Sequence, residues 1–288
     1  MSGQLSRIAI VYSRKDPAAT GTATKLLEAV KWEEITCPRN PCGCWNLLLE
    51  GISATMACYD ESQLEFEFLD ASPDPGAEAV IVLSKHSSSS GRPSLTIHYT
   101  GNPTGDNSMG GEPYTLSYSA TLLGKVLLQA YRARAEKHGL IGEYEITMEA
   151  THHGPTNNRK PLVFIEIGST EKEWSDPRAQ EAMAETVLEV LRNPPSLDHC
   201  RVVAGFGGTH YPIKFTRIML DSNECVGHVI PKYAFQKGVT KAVIKQALTK
   251  NWPRAAEIAL VEKKSLKAKH RSLVEEVASD LGIPIEKI

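Results

Sequence analysis

The chain has 288 residues, a mass of 31.5 kDa and a formal net charge of -2, which excludes a protein that is basic throughout, as many nucleic-acid-binding proteins are. Hydrophobic residues make up 41% and charged residues 23% of the sequence, which is ordinary for a soluble globular chain. No stretch approaches about 18 consecutive apolar residues, so the sequence predicts no transmembrane helix.

The first predicted elements are a strand and a capped helix. Residues 7–13 form an apolar run, and Asp16 with Pro17 then opens a helical stretch that reaches Val30. This order is the usual start of an α/β layer. The loop between the two elements lacks GxGxxG, so no nucleotide cofactor is expected. The N-terminal residues lack the long apolar core of a signal peptide, which favours a cytoplasmic protein.

Segment 36–60 is predicted to be an irregular insertion, and it holds four of the six cysteines, Cys37, Cys42, Cys44 and Cys58. These thiols suit half of a structural zinc site with Cys58 as a fourth ligand, a set of disulfides, or unpaired surface thiols. The paired C-x2-C spacing of zinc sites is missing, which favours disulfides or surface thiols. In a cytoplasm, disulfides would be unusual outside hyperthermophiles.

Three further strands are predicted before residue 101. Residues 63–69 alternate between apolar and polar, residues 79–84 form a continuous apolar run, and residues 94–100 alternate again. His86 lies in the Ser/Gly loop between the last two strands. His98 lies on the face of its strand that is opposite to the large apolar side chains. Either histidine, taken singly, suits a structural role better than a functional one.

A polar stretch rich in glycine and proline, 101–113, is the candidate linker between two domains, 1–110 and 111–288. Beyond it strands alternate with helices, which predicts a mixed or parallel sheet covered by helices. The predicted strands are 143–151, 161–167, 201–205 and 225–230, and the predicted helices are 119–138, 176–192, 239–249 and 265–281.

Two adjacent histidines, His152 and His153, end the strand that starts at residue 143. Neighbouring residues of a strand point to opposite faces, so both can serve one site only if the chain turns there. Gly154 and Pro155 supply such a turn. Neutral imidazole is the commonest side chain at catalytic zinc. The alternative is one histidine that is hydrogen-bonded in the core and one that faces solvent.

Glu166 is an isolated acid within the apolar run of strand 161–167. Burial of a lone carboxylate costs several kcal/mol unless the group is paired, protonated or bound to a cation. A site role and a structural salt bridge are both compatible with this position.

The Gly-rich stretch GFGGTHY at 205–211 follows the end of another strand and carries Gly207, Gly208 and His210. Glycines there permit close approach of a substrate or offer amide N–H groups to an anion. Ligands of open α/β sheets bind outside the carboxyl ends of the strands. The glycines also suit a tight turn with no further role.

The chain is strongly basic near its C-terminus, where only Glu257 and Glu262 oppose a run of cations between residues 241 and 271. This bias suits a surface that binds a phosphate backbone, or a solvated helix face. The principal cations are Lys241, Lys245, Lys263, Lys264, Lys267 and Arg271.

Together these motifs resemble the archaeal and plant type of D-aminoacyl-tRNA deacylase (D-tyrosyl-tRNA deacylase), which is unrelated in fold to the bacterial enzyme. The resemblance is carried, in order along most of the chain, by KHSSSSGRPSLTIHYTGNP at 85–103, EATHHGPT at 149–156, PLVFIEIGSTEKEW at 161–174, GFGGTHYPIKFT at 205–216 and GHVIPKYA at 227–234. The cysteines between residues 37 and 58 are not part of this pattern.

The resemblance implies a zinc-dependent monomer, with one or two zinc ions, that hydrolyses the ester between a D-amino acid and the 3′-terminal ribose of tRNA. Such an activity recycles tRNA and keeps D-amino acids out of translation. The resemblance also implies two α/β domains, of which the C-terminal one is phosphorylase- or peptidyl-tRNA hydrolase-like, with a mixed sheet flanked by helices.

On this resemblance, the histidines of the motifs are the expected metal ligands. His152, His153 and His210 form the first set, and His152 is thereby catalytic. His86 and His98 would serve a second metal ion or the substrate. Zinc held in this way would lower the pKa of a bound water towards about 7.

Roles in the chemistry follow for the other groups. Glu166 is expected to be a ligand or the general base that takes the proton of water. The amides of Gly207 and Gly208 are expected to stabilise the oxyanion of the tetrahedral intermediate. The basic residues from Lys241 to Arg271 are expected to bind the acceptor stem through its phosphates.

Two other functions fit the same residues. In one, the histidines are structural and the basic segment makes the chain an RNA-binding module without catalysis. In the other, the chain is a zinc amidohydrolase or carboxypeptidase that acts on small peptides, since similar folds host that chemistry. The positive charge of residues 241–271 favours tRNA over a peptide.

Overall fold

The fold is an α/β arrangement of a mixed eight-stranded sheet, a parallel four-stranded sheet and helices packed on them. The computed structural model describes residues 3–89 and 91–288. Residues 1, 2 and 90, the last of them in the predicted Ser/Gly loop, lie outside the described residues. Within the described ranges, no helix has the length and apolar character needed to cross a bilayer.

The strands and helices are labelled in chain order. The strands are β1 (Arg7–Ser13), β2 (Glu33–Glu34), β3 (Gly43–Leu49), β4 (Ile52–Tyr59), β5 (Ala79–Ser87), β6 (Ser94–His98), β7 (Gly101–Asn102), β8 (Thr115–Leu116), β9 (Glu145–Met148), β10 (Leu162–Ser169), β11 (Arg201–Phe206), β12 (Glu224–Ile230), β13 (Ile258–Val261) and β14 (Ile285–Lys287). The helices are α1 (Pro17–Ala29), α2 (Thr121–Lys137), α3 (Glu171–Trp174), α4 (Pro177–Arg192), α5 (Ile213–Asp221), α6 (Lys232–Lys237), α7 (Lys241–Thr249) and α8 (Ala268–Asp280).

The large sheet has the strand order β2-β3-β4-β1-β5-β10-β6-β9. Its centre is parallel, because β1 pairs with β4 and β5, and β5 pairs with β10. Strand β6 runs antiparallel to β10. The small sheet has the order β12-β11-β13-β14 and is parallel throughout.

The two faces of the large sheet differ in what covers them. Helices α1, α2 and α4 pack on one face, where alternate residues of the central strands, such as Ile81, Ile165 and Ile97, form the main apolar core. Residues of the opposite face, such as Val82 and Phe164, form a smaller core with Phe66. Loops cover the remainder of that second face.

The predicted boundary at residue 110 does not coincide with a division between the sheets. Strand β10, which follows the boundary, lies between β5 and β6, which precede it. The stretch 101–113 is also not a free linker, because the Asn102 side chain donates to the main chain of Gly110 and Glu112. The large sheet is therefore built from both halves of the chain.

Most predicted elements are confirmed, and two predictions are wrong. Residues 63–69 are not a strand but a short 3-10 helix, Gln63–Glu65, followed by turns. The Gln63 side chain is buried there because it donates to Asp16 and Ser84. Segment 36–60 is not irregular, since β3 and β4 pair along their whole length.

All six cysteines are paired. Cys37 bonds to Cys44, Cys42 to Cys58, and Cys200 to Cys225. The first two disulfides hold the β3–β4 hairpin, and the third joins the segment before β11 to β12. The disulfide alternative is therefore confirmed for segment 36–60, and the zinc alternative is wrong because the thiols bind each other.

Candidate active site

The candidate site lies on the loop-covered face of the large sheet, over β5, β10 and β6. In the ladder, Ser84 pairs with Glu166, Gly168 with His86, and Phe164 with His98. Alternation places Glu166, His86 and His98 on the same face. The site covers this sheet face and also reaches the carboxyl ends of β1, β5 and β11, where Lys15, His86 and His210 lie.

His152 and His153 reach this face through a turn. Strand β9 ends at Met148, earlier than the predicted alternation, and His153 takes a left-handed conformation with φ of 45°. Such a φ is uncommon for a residue other than glycine, and it clusters at functional sites. Gly154 packs so tightly that a Cβ there would lie 2.5 Å from the nitrogen of Gly111. The turn therefore lets two adjacent histidines serve one site.

His98, His152 and His153 form one group that could hold a metal ion. The Nδ1 atoms of His152 and His153 lie 2.8 and 2.6 Å from the carbonyl oxygens of Ala150 and Gly154, to which they donate. Their Nε2 atoms are therefore unprotonated. Backbone carbonyls fix the tautomer of metal-binding histidines in this way. The Nε2 atoms of His98 and His153 are 3.1 Å apart, close to the roughly 3.3 Å between two nitrogens on a tetrahedral zinc.

His86, Glu149 and His210 form a second such group, centred on the Glu149 carboxylate. The Oε1 atom of Glu149 is 3.2 Å from Nδ1 of His86, and its Oε2 atom is 2.9 Å from Nε2 of His210. The same Oε2 is 3.6 Å from Nε2 of His152, in the first group. Glu149 therefore connects the two groups.

Several buried atoms of the cluster lack a hydrogen bond. Both carboxylate oxygens of Glu149 and Nδ1 of His98 are without a partner of suitable geometry among the described residues. Unpaired buried polar groups are rare because each costs about 1–3 kcal/mol. Close nitrogens and oxygens that do not form hydrogen bonds are expected where a cation lies between them. The donor set of imidazoles and carboxylates therefore fits zinc.

Burial and mutual charge set the protonation of the cluster. Burial lowers the pKa of His153 to about 4, and it lowers the pKa of His98 and His152 well below the usual range of histidine. Burial also raises the pKa of Glu166. Burial alone would raise the pKa of Glu149. The contact with His210 and the charges of the nearby histidines have the larger combined effect, so the pKa of Glu149 is lowered. The three histidines are thus neutral at pH 7, as metal binding requires.

Glu166 lies behind the histidines, buried within the sheet face. Its Oε2 atom is 3.5 Å from Nδ1 of His86 and 3.7 Å from Nδ1 of His98. The other ring nitrogen of His86 lies 2.7 Å from the hydroxyl of Tyr211. Glu166 also lines a cavity that opens beside the cluster. It can therefore orient histidines and exchange a proton with a molecule in that cavity.

The predicted oxyanion role of Gly207 and Gly208 is wrong, because both amides have partners. The N–H of Gly207 donates to the carbonyl of Ile230 at 2.9 Å, and the N–H of Gly208 donates to Oγ of Ser265 at 2.8 Å. These glycines turn the chain from β11 towards His210. Their contribution is therefore to position the histidine.

Some of the predicted tRNA-binding residues are bonded within the chain, and the others are exposed. Lys241 pairs with Glu276, and the guanidinium of Arg271 donates to main-chain carbonyls of Lys263 and Leu266. Lys245, Lys263, Lys264 and Lys267 are exposed. The contact of Ser265 with Gly208 places the turn that carries Lys263 and Lys264 beside the segment leading to His210.

Two residues of the cluster were missed from the sequence. Glu149 follows β9 in a stretch of alternating sequence, where an acid is normally expected to face solvent, but it is buried beside His86 and His210. Tyr211 follows His210, and nothing local marks its hydroxyl as a partner of His86. By contrast, the structure brings together all five predicted histidines and Glu166.

His228 is outside the cluster and supports the segment before it. Its Nδ1 atom accepts from the hydroxyl of Thr151 at 3.0 Å, and its Nε2 atom donates to the carbonyl of Ser117 at 3.0 Å. Burial lowers the pKa of His228 to about 4. The ring is therefore neutral in the folded chain and holds Thr151, next to His152.

We expect His228 to make folding sensitive to acid. Its pKa in the folded chain is below the unfolded value of about 6.5, so its contribution is complete above pH 6.5 and is lost as the pH falls towards 4. At pH 4.5 the loss is about 2–3 kcal/mol of unfolding free energy. The substitution His228→Gln removes the titration, so urea unfolding at pH 7 and 4.5 should show a smaller acid loss. His199→Gln, at an exposed histidine, should keep the full loss, and an equal loss in both variants contradicts the expectation.

Comparison with known proteins gives a consistent result. The sequence model of the D-aminoacyl-tRNA deacylase family matches residues 74–286. The chain is 46% identical over 283 residues to a D-aminoacyl-tRNA deacylase of Aeropyrum pernix, with 98% of this chain and 100% of the relative aligned. It is 39% identical over 279 residues to the D-aminoacyl-tRNA deacylase of Staphylothermus marinus, covering 97% and 98% of the two chains. The crystal structure of a conserved protein of unknown function matches with a TM-score of 0.86 and 31% identity, over 99% of this chain and 96% of that one.

Proposed function

The chain belongs to the D-aminoacyl-tRNA deacylase family, and from that premise we propose that it hydrolyses the ester between a D-amino acid and the 3′-terminal ribose of tRNA. The observation that supports this reaction is the partly buried cluster of five histidines and two glutamates, with unpaired Glu149 and His98 atoms. The products are a free D-amino acid and a tRNA with a free terminal hydroxyl. The substrate belongs to translation, so the proposed place of action is the cytoplasm.

Zinc is the proposed cofactor, held at one or two positions. His98, His152 and His153 would hold one ion, and His86, Glu149 and His210 would hold a second. This assignment differs from the expected first set, which joined His210 to His152 and His153. Bound zinc would polarise the ester carbonyl and lower the pKa of a water molecule towards about 7.

The protein groups have separate tasks in this proposal. The carbonyls of Ala150 and Gly154 hold the Nδ1 protons of His152 and His153, so that both Nε2 lone pairs stay directed into the cluster. Tyr211 orients His86. Every group of the cluster comes from one chain, which is consistent with a monomer.

Glu166 is the proposed general base. Water attacks the ester carbonyl carbon, the bond to the ribose oxygen breaks, and Oε2 of Glu166 accepts the proton of water and returns it to that oxygen. Burial raises the pKa of Glu166, which makes both protonation states accessible near neutral pH.

Cations around the cavities are proposed to hold the tRNA. Lys15 lines the cavity beside Glu166, and Lys237 lines the cavity on the other side of His152. The exposed lysines at 263, 264 and 267 extend the positive surface. Binding of tRNA should therefore weaken steeply as salt concentration rises.

The proposed function is tested by amino-acid release from D-Tyr-tRNA and L-Tyr-tRNA before and after chelation. We expect D-selective release that is lost with the metal and is restored by zinc, because general-base catalysis by Glu166 alone would not replace the lowered pKa of a zinc-bound water. Metal analysis of the same samples gives the number of ions bound.

Other outcomes separate the alternatives. Release that survives complete metal removal keeps the reaction but contradicts the role of zinc. Binding of tRNA without release from either ester supports the RNA-binding module. Release of amino acids from small peptides instead supports the amidohydrolase or carboxypeptidase.

A further inference from the structure

Two cavities meet at the histidine cluster, and we propose that they divide the substrate between them. The inference rests on the proposed deacylase function and deepens it. The smaller cavity, here called the apolar cavity, receives the side chain of the D-amino acid. The larger, here called the polar cavity, receives the 3′-terminal nucleotide.

The cavities share one wall. His152, His153 and Met109 line both of them, so the cluster stands at their junction. An aminoacyl ester has the same layout, because its scissile carbonyl joins a side-chain end to a nucleotide end. A carbonyl held at the histidines therefore directs one end of the substrate into each cavity.

The apolar cavity has the size of one aromatic ring. Its volume is about 140 Å³, and an apolar cavity of about 150 Å³ is known to hold benzene. Its apolar wall is formed by Pro103, Met109, Tyr233 and Ala234. Asn102, Thr104 and Thr151 also line it, but their side chains already form hydrogen bonds within the chain. Its charged residues, Asp106 and Lys237, form a pair with a separation of 3.9 Å and are exposed, so they lie at the rim.

The polar cavity is larger and carries groups suited to a nucleotide. Its volume is about 440 Å³, and the exposed Lys15 on its wall can approach phosphate oxygens. The Nε2 atom of Gln63 donates to Asp16 at 2.9 Å and to Ser84 at 3.0 Å. Both amide hydrogens are thus used, which fixes the side-chain orientation.

Gln63 consequently offers its Oε1 atom as a rigid acceptor at the polar cavity. This oxygen has no hydrogen-bond partner among residues 3–89 and 91–288. It is also not one of the fully buried side-chain atoms that lack a partner, so it is open to the cavity. A nucleotide supplies suitable donors, which are the ribose hydroxyl and the exocyclic amine of adenine. An aliphatic amino-acid side chain supplies none and a tyrosine supplies one hydroxyl, so the reverse assignment would leave most of these polar groups unpaired.

The test compares kcat/KM for D-Tyr-tRNA and D-Ala-tRNA in variants of the two cavities. Tyr233→Ala removes part of the apolar wall, and we expect the ratio of kcat/KM for D-Tyr-tRNA to kcat/KM for D-Ala-tRNA to fall about tenfold. Ala234→Val narrows the same cavity. It should likewise lower kcat/KM more for D-Tyr-tRNA than for D-Ala-tRNA. Thermal denaturation checks that each variant is folded.

Two matched variants complete the design. Tyr233→Phe keeps the ring but loses the hydroxyl, which lies 3.5 Å from Nδ1 of His210, and we expect it to retain the D-Tyr to D-Ala ratio. Lys15→Ala, in the polar cavity, should lower kcat/KM equally for both substrates and reduce its dependence on salt.

The outcomes are distinguishable. Equal losses for both substrates in Tyr233→Ala and Ala234→Val overturn the assignment of the apolar cavity. A changed D-Tyr to D-Ala ratio in Lys15→Ala reverses the assignment of the two cavities and so overturns the proposal. Failure of the wild-type enzyme on every D-aminoacyl-tRNA instead removes the proposed function on which the inference rests.

Discussion

The substitution His152→Ala should abolish hydrolysis of D-aminoacyl-tRNA while the chain still folds and binds tRNA. Its imidazole is one of three in the first proposed zinc position, and its side chain is 25% exposed, so removal leaves little empty space in the core. Removal of a residue that only hydrogen-bonds to a metal ligand lowers the affinity for the metal by about 10–100-fold. Removal of a ligand itself should therefore lower zinc affinity by about 100-fold or more. Zinc content, kcat and tRNA affinity of the purified variant are the measurements.

His199→Ala is the matched control, because this histidine is exposed and lies outside the cluster. It should keep the zinc content and kcat of the wild type. If His152→Ala loses tRNA binding and thermal stability together with activity, His152 has a folding role. If His152→Ala keeps full zinc and full activity, the ligand assignment is wrong.

The substitution Glu166→Gln should lower kcat by about 10²–10⁴-fold and leave KM nearly unchanged. Glutamine has the same shape but cannot take a proton from water at neutral pH. The carboxylate is 3.5 Å or more from the nearest histidine nitrogens, so its loss should spare metal binding more than the loss of a ligand would. Single-turnover hydrolysis with zinc analysis measures both effects.

Glu171→Gln makes the same chemical change at an exposed position and should not alter kcat. A Glu166→Gln protein that contains no zinc would show that Glu166 is a ligand rather than the base. A variant with normal zinc and normal kcat would remove Glu166 from the chemistry altogether.

Local pattern was sufficient for most elements of this fold. The apolar runs of β1, β5 and β10, and the capped starts of α1 and α4 at Asp16 and Asp176, are visible in short windows of sequence. The strand predicted at 63–69 failed because the buried residues there, Gln63, Phe66 and Leu69, are spaced by three and not by two. The hairpin of β3 and β4 was missed because its turns and cysteines masked the strand signal.

The arrangement of the elements required information that local windows lack. Nothing in residues 79–98 shows that a strand from 162–169 lies between β5 and β6. The histidines could be proposed from residue type and motif, whereas Glu149 becomes a candidate only when the structure shows it buried between His86 and His210.

The insertion of β10 between β5 and β6 has a consequence for synthesis on the ribosome. β6 ends at residue 98 and β10 ends at residue 169, so the inner edges of β5 and β6 stay unpaired while 71 further residues are made. At about 5–20 residues per second this interval lasts several seconds, during which two apolar strand edges are open to aggregation. His210 emerges later still. During its own synthesis the nascent chain is itself attached to tRNA by an ester. The histidine cluster of this tRNA-ester hydrolase is therefore complete only after His210, when most of the chain has been translated.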